Sequence, residues 1–434
     1  MAKFGGTSVS SKRSIFAICQ IIKSIQDKEP IVVVSALSGV TDLLLNLPTL
    51  SETGAVKQLE ILGKIHHDLI DDVFAMGKDI KHFINQQCKE IAKFKFSPDK
   101  KNLDKLASFG ETMSAYIVTK ALEQKGIPAV SVLATELIVT NDNFGSADFI
   151  LGPTQRRVNK ALSPLINNGT TPVVTGFIGA TSKNQVTTLG RGGSDYTASI
   201  IGFCLKAQEI QIWTDVDGIF SADPRLVKSA RPLEEVSFRE AAELATFGAK
   251  VLHPRTIHPA IKMGIPVRVL NTFNPSGQGT KISKNNTGSK KIKAISFKKK
   301  ITLVNIYSTE MFLQKGFLAK IFNIFAKNNI SVDLVSVSEV SVSVTLDNTE
   351  NLTKALAELS QFTNVTVSAE GMVSLIGEGI TDSTSNIKNI FYCLDKAKIL
   401  AKMVSLGATN INISIVLKSD QVEKAVKVLH KMIQ

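Results

Sequence analysis

Two hydrophobic patterns alternate along the first 275 residues. Residues 30–36 (PIVVVSA) form a short continuous apolar run, and a stripe of isoleucines with helical spacing precedes them at 11–27. Further apolar runs lie at 129–133, 172–179, 209–216 and 265–271. Helical patterns between these runs lie at 102–125, 154–167, 194–206 and 237–247. Because buried runs that alternate with helices are typical of a mainly parallel sheet sandwiched by helices, the pattern predicts one large α/β domain.

Residues 55–100 interrupt this alternation with a helical pattern that contains no convincing strand. They predict a helical excursion from the domain. Their His66, His67 and His82 could suggest a metal site. Adjacent residues on a helix point about 100° apart, however, so we expect exposed histidines and no metal here.

The pattern of predicted strands and helices changes after residue 280. Two successive segments, 301–360 and 372–434, each read strand, helix, strand, a possible further strand, and helix. Such a repeat is typical of paired α+β modules with ferredoxin-like folds. The predicted domains are therefore the α/β domain at 1–280, a basic linker with the first strand of the tail at 281–300, and the two small modules at 301–434.

Composition restricts the partners of the 434-residue chain. Hydrophobic residues make up 44% and charged residues 21%, which is typical of folded globular domains. The net charge is +13, but residues 281–300 alone contain eight lysines and no acid, so we interpret this run as a solvated linker and predict no nucleic-acid partner. Without an 18-residue apolar run or a hydrophobic leader, the sequence predicts a cytoplasmic protein with no membrane partner. The four cysteines are far apart and are expected to be buried, reduced thiols.

Two glycine-rich stretches predict a phosphate-binding cradle. KFGGTSV at 3–9 places Lys3, Gly5 and Gly6 between the first strand and a helix. Glycines let a backbone approach a phosphate closely, and a helix N-terminus favours an anion. A simple turn explains this first stretch equally well by itself. The second stretch, LGRGGSDYTA at 189–198, leads into another helix and makes a cradle the better interpretation, although the chain has no GxxxxGK[ST] motif.

Other polar stretches occupy comparable positions along the α/β pattern. They are SALSGVT at 35–41 with Ser35 and Thr41, SFGETMSAY at 108–116 with Glu111, WTDVDGIFSADPR at 213–225 with Thr214, Asp215 and Arg225, and FGAKVLHP at 247–254 with Lys250. Glu111 suits the ammonium group of a substrate, although an exposed helix acid would show the same pattern. The 213–225 stretch could hold the base, ribose and metal of a nucleotide, or could be a long acidic surface loop.

No histidine or cysteine stands next to a plausible catalytic partner in the sequence, which limits the chemistry. Transfer of a phosphoryl group to a carboxylate would explain this, because a carboxylate is already ionised at pH 7 and needs no general base. Positive charge must then offset the repulsion from the triphosphate and stabilise the transferring group. Lysines, an arginine and glycine N–H groups suit that work.

The chain strongly resembles the aspartokinases in the order of its motifs, which are KFGGTSV, SALSGVT, SFGET, GRGGSDYTA, WTDVDGI with DPR, and FGAKVLHP. The similarity covers Lys3 to Gln434. It implies an amino acid kinase fold followed by two ACT domains. It also implies the reaction of ATP with L-aspartate to give 4-phospho-L-aspartate and ADP, the first step towards lysine, threonine and methionine. Mg²⁺ is expected to ride on the ATP phosphates, with no dedicated protein metal site.

The resemblance also implies roles for individual residues. Those implied in catalysis are Lys3, Asp195 and Lys250. Those implied in binding aspartate are Ser35, Thr41, Glu111, Arg191 and Ser194. Those implied in binding ATP are Lys3, Gly5, Gly6, Thr214, Asp215, Arg225 and Lys250. In this scheme Lys3 stabilises the transferring phosphoryl group, Asp195 orients the lysines, and Glu111 binds the amino group of aspartate.

The tail looks most like the lysine-sensitive branch of the family, through GFLAKIFNIFAKNNISVDLVSVSEVSVSVTLD at 316–347. In that branch a free lysine binds between ACT domains of two subunits. The positions implied here are Met311, Gln314, Val332, Asp333, Ser338 and Glu339. Gln314 and Val337 stand where the family pattern has smaller or hydroxylated residues. Because each module leaves a sheet edge that pairing would cover, we expect a homodimer or a higher homo-oligomer.

Two other interpretations stay open. One is another amino acid kinase, acting on glutamate, acetylglutamate or a nucleoside monophosphate, and the ACT-like repeat and FGAKVLHP argue against it. The other is a catalytically inactive amino-acid sensor that uses only its ACT domains. The presence of Lys3, Glu111, Arg191, Asp195 and Lys250 in one chain argues against a sensor.

Overall fold

The computed structural model describes residues 1–94, 97–247, 254–284, 292–312, 314–407 and 410–433, which form two compact units. The first unit takes its described residues from 1–219, 234–238 and 254–284. The second takes them from 220–233, 239–247 and 292–433. The domain boundaries near 280 and 300 stay a prediction. Because segments 220–233 and 239–247 belong to the second unit, the two units are not divided at a single position in the sequence.

The first 284 residues contain short strands and amphipathic helices. The strands are β1 (Ala2–Phe4), β2 (Val32–Val34), β3 (Ala129–Val132), β4 (Val139–Thr140), β5 (Thr171–Thr175), β6 (Ile178–Thr181), β7 (Val186–Thr188), β8 (Ile210–Thr214), β9 (Glu235–Ser237), β10 (Val267–Asn271) and β11 (Thr280–Ser283). The helices are α1 (Gly6–Val9), α2 (Lys12–Ser24), α3 (Val40–Asn46), α4 (Glu52–Val73), α5 (Lys78–Ala92), α6 (Lys100–Gln124), α7 (Ala134–Leu137), α8 (Leu151–Asn167), α9 (Gly193–Leu205), α10 (Phe238–Thr246) and α11 (Pro254–Met263). Across the described chain, we find no helix with the length and apolarity needed to cross a membrane.

Eight strands of the described first unit form a sheet in the order β3-β5-β2-β1-β8-β10-β11-β9. The strands from β3 to β10 in this order run parallel, and β11 is antiparallel to β10. Phe4 of β1 packs in one apolar cluster with Ile15 of α2 and Leu106 of α6. Lys3, its neighbour, reaches Asp195 of α9 instead. Successive strand residues point to opposite faces of the sheet, so α2 and α6 cover the face of Phe4 and α9 covers the face of Lys3. Helices therefore cover both faces, as predicted.

The predicted strand at 172–179 is two strands in two different sheets. Gly176 and Phe177 separate β5 from β6, and Phe177 adopts a left-handed conformation with φ 70°. The chain then leaves the large sheet, and β6 pairs with β4 and β7 in a small one. The apolar run correctly indicated burial, but hydrophobicity alone does not show where the strand direction changes.

Helices α4 and α5 confirm the predicted helical excursion, but one of its histidines contradicts the prediction of exposure. His66 is fully buried, with Nδ1 2.7 Å from the carbonyl oxygen of Leu62. It lies one turn from both Leu62 and Ile70, on the apolar stripe of α4. Burial lowers the pKa of His66 to about 4, so the ring is neutral at pH 7. His67 is half-buried and His82 is exposed.

The four cysteines are free thiols, as predicted, but only two of them are fully buried. Cys19 and Cys204 lie in the core, whereas Cys88 and Cys393 are half-buried. Burial raises the pKa of Cys19 and of Cys204 to about 11. Thiols in this state are structural and unreactive.

The second unit is built on one antiparallel sheet. Its strands are β12 (Ala294–Tyr307), β13 (Leu334–Val337), β14 (Ser341–Leu346), β15 (Asn364–Ile376), β16 (Met403–Leu406) and β17 (Asn412–Leu417). Its further helices are α12 (Phe317–Lys327), α13 (Leu352–Leu359), α14 (Thr384–Lys396) and α15 (Val422–His430). Within the described residues the strand order is β13-β14-β12-β15-β17-β16. Two separate apolar clusters pack α12 and α13 on one half of this sheet and α14 and α15 on the other.

The two predicted modules are present but share two long strands. Residues 294–298 of β12 pair with the second half of β15, and residues 301–307 pair with the first half, with a register shift between them. The fourth strand of the second module therefore precedes the first module in the chain. Each module has the strand and helix order of a ferredoxin-like fold. The repeat in the sequence predicts the elements, but it does not show this exchange of strands.

Lys293 contradicts the prediction of a solvated lysine run. It is buried, and its Nζ donates to Oε2 of Glu240 in α10 at 3.1 Å. Glu240 is fully buried as well, and its Oε1 accepts a hydrogen bond from the N–H of Glu378 at 2.9 Å. Buried charges need such paired and hydrogen-bonded surroundings. The pair therefore anchors α10 beside the start of β12.

The segment 220–233 is anchored in the second unit by both polar and apolar contacts. The carbonyl oxygen of Ser221 accepts a hydrogen bond from the N–H of Ile295, and its Oγ lies 2.9 Å from Nε2 of His430. Ala222 and Val227 join the apolar cluster beneath α14 and α15. The predicted nucleotide stretch 213–225 is thus divided between the two units.

Replacing Lys293 by methionine should strongly destabilise the second unit, because the buried carboxylate of Glu240 would lose its ion pair with Lys293. Removing one partner of a buried ion pair costs about 3–5 kcal/mol of unfolding free energy. Urea denaturation followed by circular dichroism measures the loss. Lys299→Met is the matched control, since Lys299 belongs to the same run but forms an exposed pair with Glu423 that contributes little. Equal stability of the two variants would contradict the prediction.

Candidate active site

The candidate site lies at the edge of the first unit where the parallel strands end. β1 ends before Gly5, β2 before Ser35, β5 before Gly176, and β8 at Thr214. The carboxyl ends of parallel strands meet at one edge, which is where open α/β sheets bind ligands. The N–H of Gly5 donates to the carbonyl oxygen of Trp213 at 3.2 Å, so two of these ends are joined directly. The topology therefore gathers loops that are far apart in the sequence.

Lys3 and Asp195 form a buried ion pair at this edge. Nζ of Lys3 lies 2.7 Å from Oδ1 of Asp195, and the two side chains are 11% and 12% exposed. Lys3 lies in one of the central strands, and Asp195 lies in the first turn of α9, where the helix dipole favours a carboxylate. A Cβ placed on Gly5 would be 3.6 Å from the same Nζ. The pair therefore holds an ammonium group in a fixed direction beside the first glycine-rich loop.

The second glycine-rich loop brings α9 into the site through two left-handed residues. Gly190 and Gly192 have φ of 79° and 70°, a conformation that glycine adopts at no steric cost. Ser194 follows in the first turn of α9, and its Oγ lies 2.9 Å from Oγ of Ser35. Arg191 stands between the two glycines with an exposed side chain. The loop thus joins two predicted substrate residues and leaves a cation at its tip.

Glu111 is a buried carboxylate with one oxygen that no hydrogen bond satisfies. It lies in α6 and is 2% exposed, and its Oε1 accepts a hydrogen bond from the N–H of Ala36 at 3.3 Å. Its Oε2 is buried and has no hydrogen-bond partner in the described chain. Burial raises the pKa of Glu111 to about 8, against the effect of the Ala36 hydrogen bond. The exposed-acid interpretation is wrong, and the arrangement fits a hydrogen-bond donor such as an ammonium group.

Gly5 and Gly6 lie where two loops approach each other closely, in addition to the approach of a phosphate that the pattern predicts. Neither residue adopts positive φ. A Cβ on Gly6 would lie 3.1 Å from the carbonyl oxygen of Ala36, so this glycine permits the loops after β1 and β2 to approach each other. Ser10 reinforces the approach, because its Oγ accepts a hydrogen bond from the N–H of Ser38 at 2.7 Å. The first glycine-rich loop is therefore packed against the SALSGVT loop.

The remaining predicted residues are not all brought into contact. Thr41 is half-buried in the first turn of α3. Oγ1 of Thr214 donates to Oδ1 of Asp215 at 3.1 Å at the end of β8. Arg225 belongs to the second unit, where its side chain is 88% exposed and pairs with Asp223 at 2.7 Å. Lys250 lies outside the described residues.

Two polar contacts beneath the site were missed by sequence reasoning. Oγ of Ser8 lies 2.7 Å from Oγ1 of Thr272 and joins α1 to the end of β10. Asp104 joins α6 to Thr188 at the end of β7. Ser8 stands inside the KFGGTSV stretch and could have been found there. Asp104 has no local signal, because its partners are distant in the sequence.

Within the described ranges, no group of three or more His, Cys, Asp or Glu side chains is arranged to hold a metal ion. Asp217, in the predicted nucleotide stretch, accepts hydrogen bonds from Nδ2 of Asn271 and Asn274 at 2.9 and 3.1 Å. This carboxylate therefore has amide partners.

Comparisons with known proteins decide the family. The amino acid kinase family matches residues 2–271, and the ACT domain matches residues 304–361 and 373–433. Aspartokinase 3, chloroplastic, from Arabidopsis thaliana is 37% identical over 99% of this chain and 80% of its own length. Lysine-sensitive aspartokinase 3 from Escherichia coli is 35% identical over 99% of this chain and 98% of its own length. The chain belongs to the aspartokinases.

Solved aspartokinases share the fold over the full length. E. coli aspartokinase III in complex with aspartate and ADP matches with a TM-score of 0.84 at 33% identity, covering 99% of this chain and 98% of that chain. The same enzyme in complex with lysine and aspartate matches with a TM-score of 0.83 at 33% identity, covering 100% and 98%. The predicted amino acid kinase fold with two ACT domains is confirmed, and the aspartokinase interpretation is favoured over other amino acid kinases.

The predicted effector residues of this aspartokinase lie at the two ends of β13. Val332 and Asp333 precede the strand, and Ser338 and Glu339 follow it. Five residue steps along an extended strand separate Asp333 from Ser338 by ~16 Å. Met311 is buried and Gln314 is exposed in the segment before α12. The two pairs therefore lie at opposite ends of one strand.

Asp333 is a predicted effector residue with a raised pKa. Burial and the neighbouring Asp347 raise the pKa of Asp333 to about 6, against the charge of Lys298. Lys298 itself pairs with Asp347. An added ammonium group beside Asp333 would relieve the repulsion between the two carboxylates.

Proposed function

We propose that this aspartokinase transfers the γ-phosphoryl group of ATP to the side-chain carboxylate of L-aspartate, giving 4-phospho-L-aspartate and ADP. One observation carries the assignment to this site. The unsatisfied Oε2 of Glu111 and the ammonium group of Lys3 belong to one connected set of contacts at the sheet edge. Glu111 accepts a hydrogen bond from the N–H of Ala36. Ser35, the neighbour of Ala36, is hydrogen-bonded to Ser194, which directly precedes Asp195 in the chain. E. coli aspartokinase III, which has the same fold, was solved with aspartate and ADP.

The proposed reaction needs no proton transfer. An oxygen of the aspartate side chain attacks the γ-phosphorus while the bond from that phosphorus to the bridging oxygen of ADP breaks. The attacking carboxylate is already ionised at neutral pH. Lys3 would stabilise negative charge on the transferring group, and Asp195 would hold the ammonium group of Lys3 in direction.

The other predicted residues are proposed to bind the two substrates. Glu111 would accept from the ammonium group of aspartate, and Arg191 would bind its α-carboxylate. Ser35, Thr41 and Ser194 would support this amino acid site. Gly5, Gly6 and Lys250 would hold the phosphates of ATP. Thr214, Asp215 and Arg225 would line the nucleotide site.

Mg²⁺ is proposed to enter as part of the nucleotide substrate. The donor set at the sheet edge is an ammonium group, hydroxyls, amide hydrogens and two carboxylates already engaged by Lys3 and by Ala36. Such a set fits a metal carried by phosphates, since Mg²⁺ prefers a few carboxylates together with phosphate oxygens and water. The ion would neutralise charge on the triphosphate.

The proposed function is tested by ADP release with Mg-ATP and, separately, aspartate, glutamate, acetylglutamate or UMP. Release that depends on aspartate alone is expected. Release with another acceptor would assign the fold to another amino acid kinase. No release from folded protein that still binds lysine would favour the inactive sensor.

Feedback inhibition by lysine is proposed for the ACT domains. The reaction is the first step towards lysine, threonine and methionine. We assign this reaction to the cytoplasm. E. coli aspartokinase III was solved with lysine bound. The neighbouring carboxylates of Asp333 and Asp347 provide negative charge for an ammonium group. Suppression of ADP release by lysine, with threonine as the comparison, tests this proposal.

A homodimer or higher homo-oligomer is predicted through the edge of the ACT sheet. β13 ends the strand order, and its Val335 and Val337 are 40% and 48% exposed on one face. A second copy would cover this edge and could bring Asp333 of one copy near Ser338 of another. Light scattering at micromolar concentration, with and without lysine, should give at least twice the chain mass of 47.0 kDa. A monomer under both conditions would contradict the prediction.

A further inference from the structure

We infer that Asp104 is a positioning residue that keeps the second glycine-rich loop in register with Glu111. The inference rests on the proposed function, because it concerns how the aspartate site is assembled. Asp104 lies near the start of α6 and is 3% exposed. Its Oδ2 accepts hydrogen bonds from the N–H of Thr188 and of Gly145, each at 2.9 Å. Its Oδ1 accepts a hydrogen bond from Oγ1 of Thr188 at 2.6 Å.

These hydrogen bonds are unusual because a buried carboxylate is satisfied by neutral donors. In the described chain no lysine, arginine or histidine forms an ion pair with Asp104. Hydrogen bonds to an ionised acceptor are shorter and roughly twice as strong as neutral ones. A hydrophobic side chain would pack α6 against β7 without fixing these N–H groups. The carboxylate therefore specifies the position of the backbone at Thr188 and Gly145.

Asp104 and Glu111 lie on one face of α6. They are seven residues apart, which is two helical turns and ~10.5 Å along the axis. Each carboxylate holds a different loop of the candidate site. Asp104 holds Thr188, the last residue before the second glycine-rich loop, and Glu111 holds Ala36 in the SALSGVT loop. One rigid helix thus sets the spacing of both loops.

A further hydrogen bond closes these contacts into a ring. Oγ of Ser194, beyond the second glycine-rich loop, lies 2.9 Å from Oγ of Ser35, beside Ala36. The ring runs from Asp104 through Thr188 and Ser194 to Ser35, and returns through Ala36 and Glu111 to α6. Asp195 and its ion pair with Lys3 follow Ser194 directly. A shift at Thr188 would therefore change the distance from Glu111 to the residues proposed to bind the rest of aspartate.

The hydrogen bond from Gly145 steadies the same loop from its other side. The N–H of Ala147 donates to the carbonyl oxygen of Thr188 at 2.9 Å. A Cβ placed on Gly190 would lie 3.0 Å from Oγ of Ser146, so the two loops are in close contact. Asp104 holds Gly145, and the neighbouring Ser146 contacts the turn at Gly190. Both contacts of its Oδ2 therefore act on the same glycine-rich loop.

The test compares Asp104→Asn with wild-type enzyme in the ADP-release assay. Asparagine keeps the shape, with its oxygen accepting from both N–H groups and its NH₂ group donating to Oγ1 of Thr188, but the neutral amide forms weaker hydrogen bonds than a carboxylate, so the loop should be held less firmly. A displacement of reacting groups by about 1 Å can cost a hundredfold in rate, so kcat/KM for aspartate should fall about tenfold to a hundredfold. Most of the fall should appear in KM for aspartate, with KM for ATP within about twofold of wild type.

Asp99→Ala is the control on the same helix. Asp99 is the exposed N-cap of the same helix, and its Oδ1 accepts a hydrogen bond from the N–H of Asn102 at 3.1 Å. This variant should lower the melting temperature through α6 while KM for aspartate stays at the wild-type value. If Asp104→Asn also changes only the melting temperature, Asp104 is merely structural and the inference is overturned.

Thr188→Val keeps the test decisive if Asp104→Asn does not fold. It removes only the hydroxyl donor, and should raise KM for aspartate in the same direction by a smaller factor. In the double variant with Asp104→Asn the two effects should not multiply, since they act on one contact. An unchanged KM in Thr188→Val would overturn the inference. Absence of aspartate-dependent release from wild-type enzyme would instead overturn the proposed function, and the inference with it.

Discussion

Replacement of Lys3 by methionine is expected to lower kcat about a hundredfold to a thousandfold while ATP still binds. The Lys3 ammonium group is buried and held 2.7 Å from Asp195, so its direction is fixed before substrates arrive. Preorganised charge in a buried site stabilises the transition state far more than it stabilises bound substrate, and loss of one such donor costs about a hundredfold to a thousandfold. ADP release measures kcat, and equilibrium binding of a non-hydrolysable ATP analogue measures nucleotide affinity.

Two controls separate catalysis from folding in this experiment. Lys23→Met makes the same substitution at an exposed position of α2 and should leave kcat unchanged. Lys3→Met leaves the Asp195 carboxylate buried without its partner, which destabilises the fold. The double variant Lys3→Met/Asp195→Asn should recover the melting temperature but not kcat. A single Lys3→Met variant with a near-normal kcat would remove Lys3 from the mechanism.

Substitution of Glu111 by glutamine should raise KM for aspartate about tenfold to a hundredfold. A hydrogen bond to a charged group contributes about 1.5–3 kcal/mol, and glutamine keeps the side-chain shape without the charge. The buried, unsatisfied Oε2 is the atom proposed to meet the substrate's ammonium group. KM for ATP should change little, because the proposed contacts of Glu111 are to aspartate alone.

The pH dependence of kcat/KM for aspartate should identify the same group. Burial raises the pKa of Glu111 to about 8, so the free enzyme gains the carboxylate that binds an ammonium group as pH rises through 8. The value of kcat/KM should therefore rise between pH 6.5 and 9 in the wild type and lose this rise in Glu111→Gln. Glu123→Gln is the control, since Glu123 is exposed on the same helix and pairs with Lys120.

The same pKa shift predicts how the free energy of unfolding changes with pH. Because the pKa of Glu111 is raised on folding, the native state holds its proton more tightly than the unfolded chain does. This contribution to the free energy of unfolding is complete below about pH 4.5 and is lost as pH rises through 8. Glu111→Gln should therefore be at least as stable as wild type at pH 8.5. A large loss of stability there, or an unchanged KM for aspartate, would contradict the proposed role.

The sequence was sufficient for the elements and for most of the site loops. Alternating apolar runs and helical stripes predicted β2, β3, β8 and β10 with the helices between them, since burial on both faces leaves a local mark in each strand. Glycines at 5, 6, 190 and 192 marked the loops that meet at the sheet edge. Lys3, Asp195, Glu111 and Ser194 were all chosen from such stretches, although their roles stay predictions.

Tertiary structure decided which of these residues meet and which charges are buried. His66 and Lys293 were predicted to be exposed, yet one lies on the apolar stripe of α4 and the other is neutralised by Glu240. The exchange of β12 between the two ACT modules and the division of residues 172–179 depend on strand pairing between distant segments.

Asp104 shows the physical reason for this limit. Local periodicity and glycine content follow from the conformation of a few neighbouring residues, so they can be read from the sequence directly. The burial of a carboxylate depends on donors that other segments bring to it, and Thr188 is 84 residues away. The sequence by itself therefore determined most of the strands and helices and the chemistry available at their ends. Only the packed sheet determined that Asp104 and Glu111 hold two separate loops from one helix face.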